Sequence, residues 1–281
     1  MKRVRLFLFA LLMLLSLTGT AFAEAPTVEE NYFSEYTYAY GVEALDSISD
    51  EQTRSNLKSI LNENNLSIIS VNTATAYFIR EGVGDGSYTY RPMTVDEVAA
   101  YTDSTISQTA TNSIINPSDE SRGKLTISLT VSADARRQLW ALASATWEER
   151  EIIGNPDEQQ AKYDDRCAIS WGGDGALKAT QHSISGTYYN GMSIPFTENT
   201  SNKSKGYSWS FEELSKGGTG GLVPNLPAKR IGASVTLATG SATLQGKTTT
   251  CTFEYVHTFA KANGGGSDDW SLSVTARELP Y

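Results

Sequence analysis

Two histidines, His182 and His257, are the only imidazoles in the chain. They bound the acid–base and metal chemistry it can perform. Neither lies in an H-E-x-x-H pattern, and no G-x-S-x-G elbow, phosphate loop or dinucleotide glycine pattern is present. A Ser-His-Asp site needs no fixed spacing, so one gathered from distant strands stays open. His257 alternates with Tyr255 and Phe259 and reads as an inward side chain on a β face. His182, between Gln181 and Ser183, reads as an exposed strand residue.

Carboxylates cluster at Asp164-Asp165, at Asp268-Asp269, and at Glu148-Glu149 with Glu151. Two carboxyl groups at a suitable separation hydrolyse a glycosidic bond. Neighbours on a strand point to opposite faces, so neither aspartate pair is such a site by itself. Gly84-Asp85-Gly86 and Gly173-Asp174-Gly175 carry fragments of a calcium loop without its acidic ladder, and they read as turns. No catalytic, cofactor-binding or metal-ligating residue is assigned, and no cofactor is expected.

The remaining chemistry belongs to thiols and aromatic rings. Cys167 and Cys251 are the two cysteines. In an oxidising compartment such a pair reads as one disulfide, worth roughly 4 kcal/mol for a loop of this length. Two buried free thiols are the alternative. Trp140, Trp147, Trp171, Trp209 and Trp270 accompany 14 tyrosines. Exposed rings of this kind stack on sugars, presenting a flat apolar face with a polar edge. Tyr188 and Tyr189, beside the Asn190-Gly191 turn, are the candidate ligand-stacking pair. An aromatic stretch also runs from Tyr32 to Tyr40, with Tyr36, Tyr38 and Tyr40 alternating as in a short strand.

The compartment follows from the first 23 residues. Lys2, Arg3 and Arg5 precede an apolar run from Leu6 to Leu17, broken only by Ser16, and Ala21-Phe22-Ala23 closes it. This is the pattern of a signal peptide cleaved after Ala23. The run is too short for a transmembrane anchor, and a secreted or cell-surface protein is expected. The 23 Lys and Arg stand against 32 Asp and Glu, a net charge of −9. Loss of the three cationic leader residues takes this to about −12. Such a chain lacks the basic face that nucleic acid requires. Sequons begin at Asn65, Asn199 and Asn202.

The elements that must position these residues are mostly strands. Leu125, Ile127, Leu129 and Val131 alternate with Thr126, Ser128, Thr130 and Ser132, a strict period of two. The polar set reads as the wet face of a sheet. Residues 136–149 have helical composition, but their context favours a strand with Leu139, Ala141, Ala143, Ala145 and Trp147 on one face. Further alternation marks Cys167 to Trp171, Tyr207 to Phe211, Ile231 to Leu237, Cys251 to Phe259, and Trp270 to Ala276. No helical crossover is visible between them, so parallel pairing is disfavoured.

The fold expected is mainly β, an antiparallel β-sandwich of jelly-roll or immunoglobulin-like type over residues 124–281. Residues 24–102 read as a small α+β N-terminal extension and 103–123 as a linker or long loop. In the extension, Ser49 or Asp50 caps a helix from Glu51 to Asn64, and Thr94 with Glu97 forms a capping box.

These features point to an exported, non-catalytic binding or surface-associated β-sandwich. Glycan, cell-wall polymer or protein are the partners considered. Two alternatives make other demands. A secreted hydrolase with a scattered site needs a cleft in which a histidine meets a carboxylate and a serine. A self-assembling or pore-forming protein would use the Ser/Thr alternation to line a barrel.

Overall fold

The computed structural model describes residues 32, 34–84, 87–100, 122–148, 163–173, 176–215, 226–239, 247–261 and 266–280. The expected signal at 1–23, residues 103–121 of the expected linker 103–123, the glycine cluster at 217–221, Asp85, Glu149, Glu151 and Asp174 lie outside them.

Among the described residues thirteen strands follow in chain order: β1 (Ser34–Ala39), β2 (Ser67–Gly84), β3 (Ser87–Pro92), β4 (Arg122–Ala133), β5 (Leu139–Glu148), β6 (Asp165–Trp171), β7 (Leu177–Tyr188), β8 (Thr197–Asn202), β9 (Gly206–Phe211), β10 (Leu214–Ser215), β11 (Leu226–Thr239), β12 (Thr248–Ala260) and β13 (Ser267–Pro280). They form two antiparallel sheets. The larger has eight strands and the path β1-β2-β4-β5-β11-β10. Within it β3 also pairs with β2, and β7 with β11. The smaller has the order β13-β12-β6-β9-β8.

Period-two patterning explains the core between the sheets. Leu125, Ile127, Leu129 and Val131 of β4 are essentially without solvent exposure. The five alternate residues of β5, Leu139 to Trp147, are buried beside them. Register makes this neighbourhood exact in sequence terms: Ile127 faces Ala145 and Leu129 faces Ala143. Small alanines on β5 leave room for Ile169, Trp209, Phe253 and Leu272 from the opposite sheet, all in the same cluster. The composition of residues 136–149 thus yields to its sheet context, because tertiary burial outweighs a helix propensity of tenths of a kcal/mol per residue.

The polar face of β4 departs from expectation. Thr126, Ser128, Thr130 and Ser132 are buried rather than wet. Helix α1 (Glu51–Glu63) and the short 3-10 helix Val42–Ser47 supply Leu57, Leu61, Ala44 and Leu45 to a second cluster. Their partners there are Val71 of β2 and Leu142 of β5. Some hydroxyls beneath the helix bond one another, Ser128 with Ser144 at 2.6 Å and Thr53 of α1 with Thr146 at 3.4 Å, whereas those of Thr130 and Ser132 make no hydrogen bond among the described residues. The molecule is therefore layered as helix, sheet, sheet.

The described part of 24–102 contributes strands to the body of the sandwich. β2 pairs with β4 from Ser67↔Ala133 to Ile79↔Arg122. One continuous ladder of hydrogen bonds thus joins chain from both sides of the expected linker.

Two local devices hold the layers. Asp50 caps α1, accepting from the Thr53 amide at 2.8 Å. The same carboxylate takes both arms of Arg230 from β11, at 2.7 and 2.6 Å, tying the helix to the sheet. Helix α1 ends at Asn64, and Asn65 follows in the left-handed region at φ 51°. The capping box forms as expected: the Thr94 amide donates to Glu97 at 2.9 Å, and the Glu97 amide to Thr94 Oγ1 at 3.3 Å. Arg91 of β3 grips the same Glu97 carboxylate through two nitrogens.

Burial works against the charge on Asp50, but hydrogen bonds from Arg230 and Thr53 outweigh it and hold the carboxyl at about 2. The Arg91 bridge holds Glu97 at about 2, also against burial. Both values lie below the ordinary 3.8 and 4.5. The stability these groups contribute is therefore fully present above those ordinary values and is lost as pH falls toward 2. Asp50→Ala should cost about 2 kcal/mol by urea denaturation at pH 7, as cap and ion pair vanish together. It should also flatten the decline in stability between pH 4 and pH 2. An unchanged midpoint would show that the tie is ornamental.

Candidate functional site

The register of β6 against β12 builds the most concentrated chemistry in the described residues. Tyr255 faces Cys167 and Val256 faces Arg166. The next pair along brings His257 beside Asp165. Strand alternation turns Asp165 inward and leaves Asp164 exposed, so the adjacent aspartates do face opposite ways. Glu213, between β9 and β10, completes the group. Asp165 and His257 are each 1% exposed, and Glu213 is 6% exposed.

The distances define the electrostatics. His257 Nδ1 lies 3.3 Å from Asp165 Oδ2 and 3.5 Å from Glu213 Oε1. His257 Nε2 lies 3.0 Å from the Tyr90 carbonyl oxygen. That oxygen only accepts, so Nε2 carries a hydrogen and donates it. Asp165 is held at both oxygens. Its Oδ1 accepts from the Thr258 amide at 2.8 Å, and its Oδ2 from the Tyr255 hydroxyl at 2.7 Å. The Tyr255 oxygen in turn accepts from Trp147 Nε1 at 3.2 Å. Rings of Phe78, Trp147 and Phe259 surround the imidazole, with centroids 5.2 to 5.8 Å away.

Burial is the largest force on Asp165 and pushes its carboxyl up; the Glu213 charge adds to this, and His257 opposes it. Burial likewise pushes the Tyr255 phenol well up, with help from Asp165 and Glu213. Two carboxylates and an imidazole so deeply buried together favour a proton or a cation shared among them. The ligand-capable atoms of Asp165, Glu213 and His257 all lie within 4.8 Å of one another. The hydrolase reading asked for a histidine meeting a carboxylate in a cleft. His257 meets two, but it is sealed in the core, where a polymeric substrate has no access.

The other histidine is at the open edge of the sandwich. His182 of β7 stacks on Tyr207 of β9, with centroids 3.9 Å apart and planes 15° apart. It also meets Glu198 of β8 at 2.9 Å. It is an exposed strand residue, as expected, with one face of its ring against the neighbouring sheet.

The stacking pair expected at Tyr188 and Tyr189 requires correction. Tyr188 is 4% exposed, and its hydroxyl donates to the Glu212 carbonyl at 3.0 Å. Tyr189 is half-buried, and its hydroxyl donates to the Trp147 carbonyl at 2.8 Å. The Asn190-Gly191 turn folds back, with Gly191 at φ 83°, and packs both rings against the core. The exposed tyrosines are elsewhere. Tyr36, Tyr38 and Tyr40 are 49%, 61% and 79% exposed, on β1 and directly after it. Tyr36 and Tyr38 pair with Ala74 and Asn72 of β2, on the side of the larger sheet that faces the smaller one. The outermost strand of the smaller sheet, β13, packs on β2 and β4. The rings on β1 therefore project past its cover. The alternation was visible in sequence; that it lies on an overhanging edge was not.

The expected disulfide is also overturned. Cys251 pairs with Trp171 and Cys167 with Tyr255. The thiols are thus four residues apart along neighbouring strands, roughly 13 Å, whereas a bridge needs Cα atoms within about 7 Å. Both are buried free thiols. Burial pushes Cys167 up strongly and Cys251 up to about 12. They should resist alkylation in the native protein and react fully in denaturant, with a Tm indifferent to reductant. A reductant-sensitive Tm would contradict the register.

No protein-family model matches the chain, and no curated protein matches it. Several solved structures show a remote likeness. A pore-forming protein is 11% identical, over 56% of this chain and 88% of its own, with a TM-score of 0.28. A structure concerning adhesion of Streptococcus parasanguinis by Fap1 fimbriae is 10% identical over 55% and 80%, at 0.27. The C-terminal domain of the Streptococcus agalactiae AgI/II polypeptide BspA is 5% identical over 88% and 93%, at 0.28. At such scores the likeness carries no argument about function. Among the described residues no helix is long and apolar enough to cross a membrane.

Proposed function

We propose that this chain is an exported, surface-associated β-sandwich that binds a neutral glycan without catalysing its turnover. The observation that carries this reading is the row Tyr36 and Tyr38 on β1 with Tyr40 directly after it, three ring-bearing side chains solvent-exposed in series. Residues two apart on a strand lie on one face, roughly 6.8 Å apart. The row is thus a flat, regularly spaced platform with hydroxyls at its rim. Stacking on pyranose faces uses the apolar ring, and the phenol oxygens reach sugar hydroxyls.

Charge selects the class of glycan. The net charge of −9 disfavours acidic polymers, and Glu35 on β1 adds local negative charge. The leader expected at Met1 to Ala23 supports delivery to the outside, where such polymers are found. Large exposed rings cost solubility, so a row of them is consistent with a binding face.

At about 1 kcal/mol per ring, Tyr38→Ala should weaken binding to neutral polysaccharide by roughly fivefold and the pair Tyr36→Ala with Tyr38→Ala by roughly thirtyfold. Their Tm should stay within a degree or two of the parent, because these side chains are outside the core. A glycan array with the purified protein, followed by calorimetry on the hits, reads this directly. No binding to any neutral glycan, or binding untouched by the double variant, would end the proposal.

A further inference from the structure

We propose that Asp165, Glu213 and His257 form a buried site for one divalent cation of the zinc class, built into the core between the two sheets. The site is independent of the tyrosine row and of any glycan.

Geometry comes first. With Nε2 donating to the Tyr90 carbonyl, the neutral imidazole presents its Nδ1 lone pair to the carboxylates. Three acceptors then converge: Nδ1, Asp165 Oδ2 and Glu213 Oε1. The separations from Nδ1 are 3.3 and 3.5 Å. A tetrahedral zinc ion with bonds of about 2.0–2.2 Å has ligand–ligand edges of roughly 3.3–3.6 Å. Both edges from Nδ1 match this, and the two carboxylate oxygens lie within 4.8 Å of each other.

Charge and the outer shell agree. Two carboxylates and a neutral imidazole in a dry core are compensated by one doubly charged ion. The imidazole is oriented by a hydrogen bond from its other nitrogen to a backbone carbonyl, and a ligating carboxylate is fixed by further donors. This is the usual outer shell of a metal-bound histidine. Here the Thr258 amide and the Tyr255 hydroxyl serve Asp165. A nitrogen donor and so few oxygens exclude calcium and magnesium, which take six or more oxygen ligands or keep their waters. The ligands are almost fully shielded from solvent, which favours loading that accompanies folding.

The test uses the full chain, unfolded in guanidinium with EDTA and refolded with and without Zn2+. The expected result is one equivalent of zinc retained through gel filtration and a higher Tm than the zinc-free product. Glu213→Gln should lose the retained zinc. Tyr255→Phe, which removes a donor to Asp165, should weaken it by roughly 10–100-fold. His182→Gln should leave it unchanged.

Equal Tm values with no retained metal would overturn the proposal. So would zinc that survives Glu213→Gln but is lost in His182→Gln, which would place the ion on the exposed His182–Glu198 pair. Should Glu213→Gln not refold, the parent protein loaded with 113Cd decides by NMR. Coupling from cadmium to His257 Nδ1 supports the site, and its absence overturns it.

Discussion

One antiparallel register, Tyr255 against Cys167, governs the interior of this protein. It brings His257 beside Asp165 and puts the Tyr255 hydroxyl within 2.7 Å of the same carboxylate. It also separates Cys167 from Cys251 by four residues. A slip of β12 by one residue would turn His257, Tyr255 and Phe253 outward while Asp165 stayed inward, and the cluster would be lost. The register is held because Ile169, Phe253 and Trp209 must all face inward at once.

A charged cluster inside such a core is costly. Desolvation of even one carboxylate costs several kcal/mol unless it is compensated. The described bonds show where part of the compensation arises: the Thr258 amide and the Tyr255 phenol both donate to Asp165. An apolar core of equal volume would be at least as stable. Residues of this kind are therefore weak evidence for stability alone, and they point to specificity of packing or to a bound ion.

The outer layer follows a different logic. A sheet face rich in Ser and Thr need not meet water if its hydroxyls bond laterally. Ser128 with Ser144, and Thr75 with Thr126, do this across strands. Helix α1 can then lie on that face through Leu57 and Leu61, fixed at its start by the Asp50–Arg230 pair. The helix shields β4 and β5, whereas β1 at the far edge keeps its tyrosines in solvent. The accessible surface for a ligand is thus set by where each cover stops.

The sequence alone determined the strand content, because alternation with a period of two has one physical meaning when one face must be buried. It also determined the inward face of β4, β5 and β12, the helix at Glu51–Glu63 with its cap, and the capping box at Thr94 and Glu97. Each of these rests on local periodicity or on hydrogen bonds within a few residues. What lies across from what was decided only in the tertiary structure. Asp165, Glu213 and His257 are 44 or more residues apart in pairs that no local pattern links. Alternation told that Cys167 and Cys251 face inward, but only strand register told that they do not meet. The Ser/Thr face looked wet because composition carries no record of a helix arriving from earlier in the chain. Tyr188 and the row at Tyr36 to Tyr40 looked alike in sequence, and their exposure differs because one is folded under a turn and the other extends past the opposing sheet.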